Sequence, residues 1–394
     1  MRVTLHLTRR CNLSCTYCYA DCTAASRAHA DDDMTLETAQ RGVDLALERS
    51  EKRAHIVFFG GEPTLCLARI DATAAYARAA ARARSKEVSF ELTTNGTRLN
   101  DAFFAVVTRH HMVVAVSVDG PRAVHDRHRL SNAGHGTFAA IDAGLDRLLR
   151  EVPSAIASAV VTPDTVANLS ESVAWLLDRG FRIVVTAPNH GADWTPADAR
   201  TLDRELGRIA ALYEERTRRG QRFYLGCVDG AIRTHVRGGT GDATSCGAGL
   251  DHVSVAADGT LFPCVQFVSE APNPWSLGHV TTGLDPARAH ALAPGLSGRD
   301  PSCTDCALVS RCASGCPCAN LAATGRPDRV SPIQCASQRL GIPRADRAAT
   351  RLYRRADRMF IHKHYNRLYP VAECLEDGLG ALPTRPTPTS SKEL

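Results

Sequence analysis

Six short β-rich runs, most of them followed by a stretch of helical periodicity, fill roughly the first 190 residues, and this alternation limits the possible folds more than any other feature. Strands are read at 2–7, 55–59, 88–92, 113–118, 156–161 and 181–186, and helices at 35–51, 68–85, 99–109, 137–150 and 165–179. Met34-Thr35-Leu36-Glu37 reads as a helix start with Thr35 as the cap. Strands that alternate with helices imply parallel βαβ units and an α/β fold. Six units are too few for a closed eight-fold barrel, which leaves an open, partial barrel or a doubly wound sheet. Both gather their working residues at the carboxyl ends of the strands. The unusual motifs fall there: Cys11 to Cys18, Gly60-Gly61-Glu62-Pro63, Thr94-Asn95-Gly96 and Ser117-Val118-Asp119-Gly120.

The chain has 394 residues, 44% of them hydrophobic and 23% charged, so it can bury a core of two or three domains. It has no apolar run of membrane-spanning length and no signal-peptide core at its start, so a cytoplasmic enzyme without membrane partners is expected. The net charge of +5 is mild, and the 43 Arg are spread out. Two small clusters, Arg216–Arg222 and Arg347–Arg358, read as solvated helix faces, so nucleic acid is not expected as a partner. The sequence divides into an α/β region at 1–195, a connecting helix and linker at 196–240, a loop-rich Cys/Gly segment at 241–343, and a helix with a Pro/Thr/Ser-rich tail at 344–394. The long helix is read at 196–222 and the last at 344–367, with His362-Lys363-His364 on an exposed face.

Fifteen cysteines in a chain without a secretory signal point to metal or redox chemistry rather than disulfides. Cys11-x3-Cys15-x2-Cys18 directly follows the first strand, and three thiolates so spaced can hold a [4Fe–4S] cube with one iron left open. Zinc would require a fourth nearby ligand, for which Cys22 could be proposed. Downstream, Cys246-x12-Gly259-x4-Cys264 is followed by Cys303-x2-Cys306-x5-Cys312-x3-Cys316 and then Cys335. Seven thiolates nearly supply two further cubes, one ligand short.

The first motif, with Tyr17 before its third Cys, resembles the signature of the radical S-adenosylmethionine (radical SAM) superfamily, and the second set resembles its SPASM extension. The resemblance implies a partial (β/α)6 TIM-like barrel followed by a loop-rich iron–sulfur domain and a C-terminal helix. It implies three [4Fe–4S] clusters: a catalytic one on Cys11, Cys15 and Cys18, auxiliary cluster I on Cys246, Cys264 and Cys316, and auxiliary cluster II on Cys303, Cys306, Cys312 and Cys335. Gly60, Gly61, Glu62 and Pro63 correspond to the motif whose backbone meets the SAM amino group. Asn95, Ser117 and Asp119 correspond to positions near its ribose and carboxylate, and Arg129 to the Arg that pairs with that carboxylate. Auxiliary cluster I keeps an open iron, or Cys227 or Cys318 closes it. Cys66 and Cys374 read as small buried apolar residues.

SPASM enzymes mostly act on peptides or proteins, so the resemblance implies a peptide-modifying oxidoreductase. Reductive cleavage of SAM yields a 5′-deoxyadenosyl radical that takes a hydrogen atom from the substrate, here expected to be a ribosomally made precursor peptide that becomes crosslinked. Formylglycine formation in sulfatases looks to need an Asp directly after Cys264, where this sequence has Val265. Dehydrogenation of a small molecule is the other alternative. A flavodoxin or ferredoxin is the expected reductant. No leader-peptide reader precedes the first strand, so the leader is expected to be read by a separate protein or by the catalytic domain itself.

Overall fold

The computed structural model describes residues 1–20, 33–238, 247–268, 273–297, 300–313, 315–366 and 369; Cys22, Cys246, Cys374 and the tail from Leu382 lie outside them. The first half runs β1 (Arg2–His6), α1 (Leu36–Glu48), β2 (Arg53–Phe59), α2 (Leu67–Ala83), β3 (Glu87–Thr94), α3 (Asp101–His110), β4 (Val113–Ser117), α4 (Arg122–His128), α5 (Phe138–Glu151), β5 (Ile156–Val161), α6 (Leu169–Arg179) and β6 (Ile183–Pro188). All six strands pair in parallel in the order β1-β2-β3-β4-β5-β6. A doubly wound sheet reverses its order at a switch point. This one does not, so the open, partial barrel is the arrangement formed. Helices cover the sheet, so strand residues such as Val3, Leu5, Ile56, Phe58 and Leu92 are fully buried. Thr35 caps α1 as read, accepting from the Thr38 amide at 3.0 Å.

The second half departs further from the sequence reading. Helix α7 (Pro196–Arg218) opens with a reciprocal capping box between Thr195 and Asp198 and ends four residues short of 222. It is followed by β7 (Tyr224–Leu225) and by α8 (Gly226–Arg237), a helix the sequence analysis did not find. Then come β8 (His252–Val255), β9 (Thr260–Phe262), β10 (Gly278–His279), β11 (Gly283–Leu284), α9 (Pro286–Ser297), α10 (Pro317–Thr324), α11 (Pro332–Arg354) and α12 (Arg358–Tyr365). Strand β8 lies parallel to β1, Val3 opposite Val253, so the sheet passes into the cysteine-rich segment without a break and reaches eleven strands.

The helix expected at 344–367 is two helices, with its start moved forward. Ser331, fully buried, caps α11 by accepting from the Gln334 amide, and Pro332 takes the first position, where its missing N–H costs nothing. Pro343 inside α11 forfeits one backbone bond. Burial of Ile342, Ala345, Ala348, Ala349 and Leu352 against α7 and α8 outweighs that loss. Ala356, at φ 52°, breaks the chain before Asp357 caps α12.

The exposed face expected for His362-Lys363-His364 is also corrected. Lys363 and His364 turn inward onto Asp229 of α8, at 2.7 and 3.3 Å. Tyr213 of α7 donates to the same carboxylate at 2.6 Å, as does the Leu225 amide. A buried carboxylate requires such pairing. Burial alone would raise the Asp229 pKa, but Lys363, with help from His364 and Tyr213, holds it below the usual range. This knot fastens α12 to α7 and α8.

Candidate active site

The loop after β1 carries Cys11, Cys15 and Cys18, and backbone pairing fixes it from both sides. The Gly61 and Glu62 amides donate to the carbonyls of Thr8 and Arg10 at 2.8 and 2.9 Å. A Cβ on Gly60 would stand 2.4 Å from the Thr8 carbonyl oxygen, and one on Gly61 2.2 Å from that of Arg10. The glycine pair therefore lets the β2 loop close on the strand that leads into Cys11. On the other side, the Ser14 and Thr16 amides donate to Leu130 and His128 at 2.7 and 3.0 Å. The three thiols act electrostatically on one another, and burial pushes the Cys11 thiol up to about 12. Thiols within electrostatic reach of one another suit a cluster, whose binding releases their protons.

Glu62 turns out to be a scaffold for the loop. Its buried carboxylate caps the 3-10 turn Pro63–Cys66, accepts from the Thr64 and Thr94 hydroxyls at 2.6 and 2.8 Å, and accepts from the Asn95 amide at 2.7 Å. Burial raises its pKa despite these bonds. Asn95 reaches on to Asn12 at 2.8 Å and toward the Cys11 sulfur at 3.9 Å. Ser117 sits half-buried at the end of β4, opposite Ser158 of β5.

Arg129 and Asp119 form a two-point ion pair at 3.0 and 3.1 Å, nearly sealed from solvent. Tyr17 donates to Asp119 at 2.5 Å, and the Arg129 guanidinium lies 5.4 Å from the center of the Tyr17 ring. Burial opposes the Arg129 charge, but Asp119 outweighs it and raises the pKa. The second Asp119 oxygen also accepts from the Val160 amide of β5. Arg129 therefore engages Asp119 through one edge of its guanidinium, and its charge acts on Cys15.

The remaining described thiols fall into groups. Cys335 lies within electrostatic reach of Cys312, Cys303 and Cys306. Cys264 and Cys316 pack against the small buried cluster that contains Cys318, which sits 4% exposed at the start of α10. The neighbouring Cys318 thiol holds the Cys316 pKa below its ordinary value. Cys66 is buried beside Asp33, and Cys227 lies on α8, lining the same cavity as Thr186 of β6. Cys246, expected with Cys264 and Cys316, is outside the described residues. Among the described residues no three Cys, His, Asp or Glu side chains gather tightly enough to hold a single metal ion; a cube instead spreads its thiolates over several irons.

A cavity of about 670 Å³ opens between the ends of β5 and β6 and helices α8, α10 and α11. Val161, Pro188, His190, Cys227, Cys312 and Cys316 are among the residues that line it. Sequence reasoning did not single out His190. Its ring nitrogen Nδ1 lies 3.2 Å from the Ser331 hydroxyl, and burial lowers its pKa.

Residues 5–176 match the model of the Radical SAM superfamily. The serine-type anaerobic sulfatase-maturating enzyme of Klebsiella pneumoniae is 26% identical over 363 residues, covering 86% of this chain and 89% of that protein. The solved structure of native anSMEcpe with bound AdoMet and a peptide superposes with a TM-score of 0.74 at 19% identity, covering 89% of this chain and all (100%) of that one. Streptococcus suis SuiB bound to precursor peptide SuiA gives a TM-score of 0.57 at 14% identity, over 85% of this chain and 75% of that one. The fold is thus that of radical SAM enzymes with a SPASM-like C-terminal region. The chain carries a radical SAM domain at 5–176, which makes it an enzyme, and it is similar over most of its length to the anaerobic sulfatase-maturating enzymes. Such a domain works with SAM and a [4Fe–4S] cluster.

Proposed function

We propose that this enzyme oxidises a side chain of a peptide by hydrogen-atom abstraction. The observation that carries the reading is the cavity between the strand ends of the barrel and the second cysteine set, lined by His190 together with Cys312 and Cys316. The bound cluster and SAM supply a carbon radical that takes one hydrogen atom from the substrate. Cys11, Cys15 and Cys18 would hold that cluster. The free edge of the Arg129 guanidinium would meet the SAM carboxylate, and the backbone at Gly60–Pro63 its amino group. Asn95 and Ser117 would line the ribose.

Completing the oxidation removes an electron and a proton as well. His190, kept neutral by burial, is the proton acceptor within the cavity. Auxiliary clusters on Cys264, Cys316 and Cys246 and on Cys303, Cys306, Cys312 and Cys335 would supply the electron acceptor beside this cavity.

Relatives that align with most of the chain act on sulfatases by name, which supports oxidation of a Ser or Cys to an aldehyde. Crosslinking of a ribosomally made peptide is the second reading. It is favoured by Val265, which begins the turn after Cys264 where the sulfatase branch is expected to carry Asp. Anaerobic incubation with SAM, a reductant and either a sulfatase-type peptide or a short peptide encoded beside the gene separates the two. A loss of two hydrogens with hydrazide labelling identifies an aldehyde made from Ser, and the same loss without labelling a crosslink. SAM cleavage with no change in any peptide, and turnover of a small molecule instead, would defeat the proposal.

A further inference from the structure

The seven-cysteine pattern leaves auxiliary cluster I one thiolate short, and the structure points to the residue that fills the gap. We propose that Cys318 is a ligand of that cluster, beside Cys264 and Cys316. This rests on the reading that the second cysteine set holds clusters at all.

Cys316 caps α10 and Cys318 lies in its first turn, with only Pro317 between them. Cys318 is buried in a small cluster against which both Cys316 and Cys264 pack, residues that lie 52 positions apart in the chain. An ordinary buried cysteine packs among apolar side chains. Cys318 does have such neighbours in Phe262, Phe267 and Leu296, but it meets them on a surface it shares with two other thiols. The alternative ligand, Cys227, is placed differently. It sits on α8 and packs against the main core, apart from the small cluster that gathers Cys264, Cys316 and Cys318. Pro317 at the first helical position gives up no backbone bond and fixes the turn between the two sulfurs. Cys318 thus supplies the thiolate that the seven-cysteine pattern leaves short. The cluster then has no open iron for a substrate thiol or amide. Its part is to accept an electron, and the substrate is held by the cavity walls.

The test uses full-length protein in which Cys11, Cys15 and Cys18 are all replaced by Ala, reconstituted anaerobically with iron and sulfide, so that only the second set is read. This parent should bind about eight irons per chain. Adding Cys318→Ala should lower iron by about one to four per chain, with the electron paramagnetic resonance of a three-iron cluster appearing where one iron is lost. Cys227→Ala should leave both iron and spectrum as in the parent. If the Ala variant does not fold, Cys318→Ser keeps the size and offers oxygen, and should shift the Mössbauer parameters of one cluster. Full iron and an unchanged spectrum in the Cys318 variants would overturn the assignment while leaving the clusters in place. A parent that binds no iron would overturn both the assignment and the reading beneath it.

Discussion

The loop at Cys11–Cys18 and the segment at Cys303–Cys316 both present thiols at short spacing, but the protein holds them in different ways. The first loop is bonded to distant parts of the chain: the Ser14 and Thr16 amides to Leu130 and His128, Tyr17 to Asp119, and Asn132 to the Cys11 carbonyl. The second is a run of local turns, in which the amides of Cys303, Cys306, Val309 and Arg311 each donate to the carbonyl three residues back. Arg311 is its chief long-range anchor, paired with Asp346 of α11 at 2.6 and 2.7 Å. A loop held by long-range bonds is shaped before metal arrives. A string of turns has little to close it until a cluster ties its thiols together.

The largest expected effect follows directly. Stripping iron with a chelator should bring amide hydrogen exchange over 301–312 close to unprotected rates. Exchange at 14–17 and in β1–β5 should rise by no more than about tenfold. Equal loss of protection in both regions, read by mass spectrometry, would erase the distinction.

Next in size are the two ion pairs. Asp119→Asn leaves Arg129 buried and unpaired and should cost about 3–5 kcal/mol in denaturant unfolding. Asp346→Asn, at a pair roughly a fifth exposed on each side, should cost about 1 kcal/mol. Equal costs would mean that both regions depend alike on their anchors.

A further effect concerns acid. His125, buried beneath the first loop near Arg129, Asp119 and Asp126, has its pKa lowered to about 4, chiefly by burial. A folded-state value below the unfolded one means that protonation favours unfolding. The stability is fully present above about pH 6.5 and is lost as pH falls toward 4, by about 3 kcal/mol in all. His125→Phe should remove that part of the slope, seen as the difference between wild type and variant at pH 7 and pH 5. Parallel slopes would show that His125 is not the sensor.

What could be read in the sequence follows from how local each signal is. The barrel strands announced themselves because each ends in a turn of limited chemistry, such as Gly60-Gly61 or Asn95-Gly96, and because their burial is continuous. Strands β8 to β11 have four, three, two and two residues, too few to show a period. Helix α8 carries Gly226 and Gly230 and draws its stability from Asp229, whose partners Tyr213 and Lys363 are remote in the chain. Arg129 was found by its motif, but its engagement with Asp119 depends on how the β4 loop folds back. Spacing could not choose between Cys227 and Cys318, since only the fold shows which thiol lies beside Cys264.

The pairing of β8 with β1 also bears on how far the molecule can be divided. Without Ser254 and its neighbours alongside, the edge from Arg2 to Leu5 would offer a row of unsatisfied amides and carbonyls next to Val3 and Leu5. Such an edge is a template for adding strands from other chains. A fragment cut after residue 195 would carry the whole radical SAM match and still be prone to self-association, because the segment that brings the second set of thiols is also the barrel's guard against aggregation.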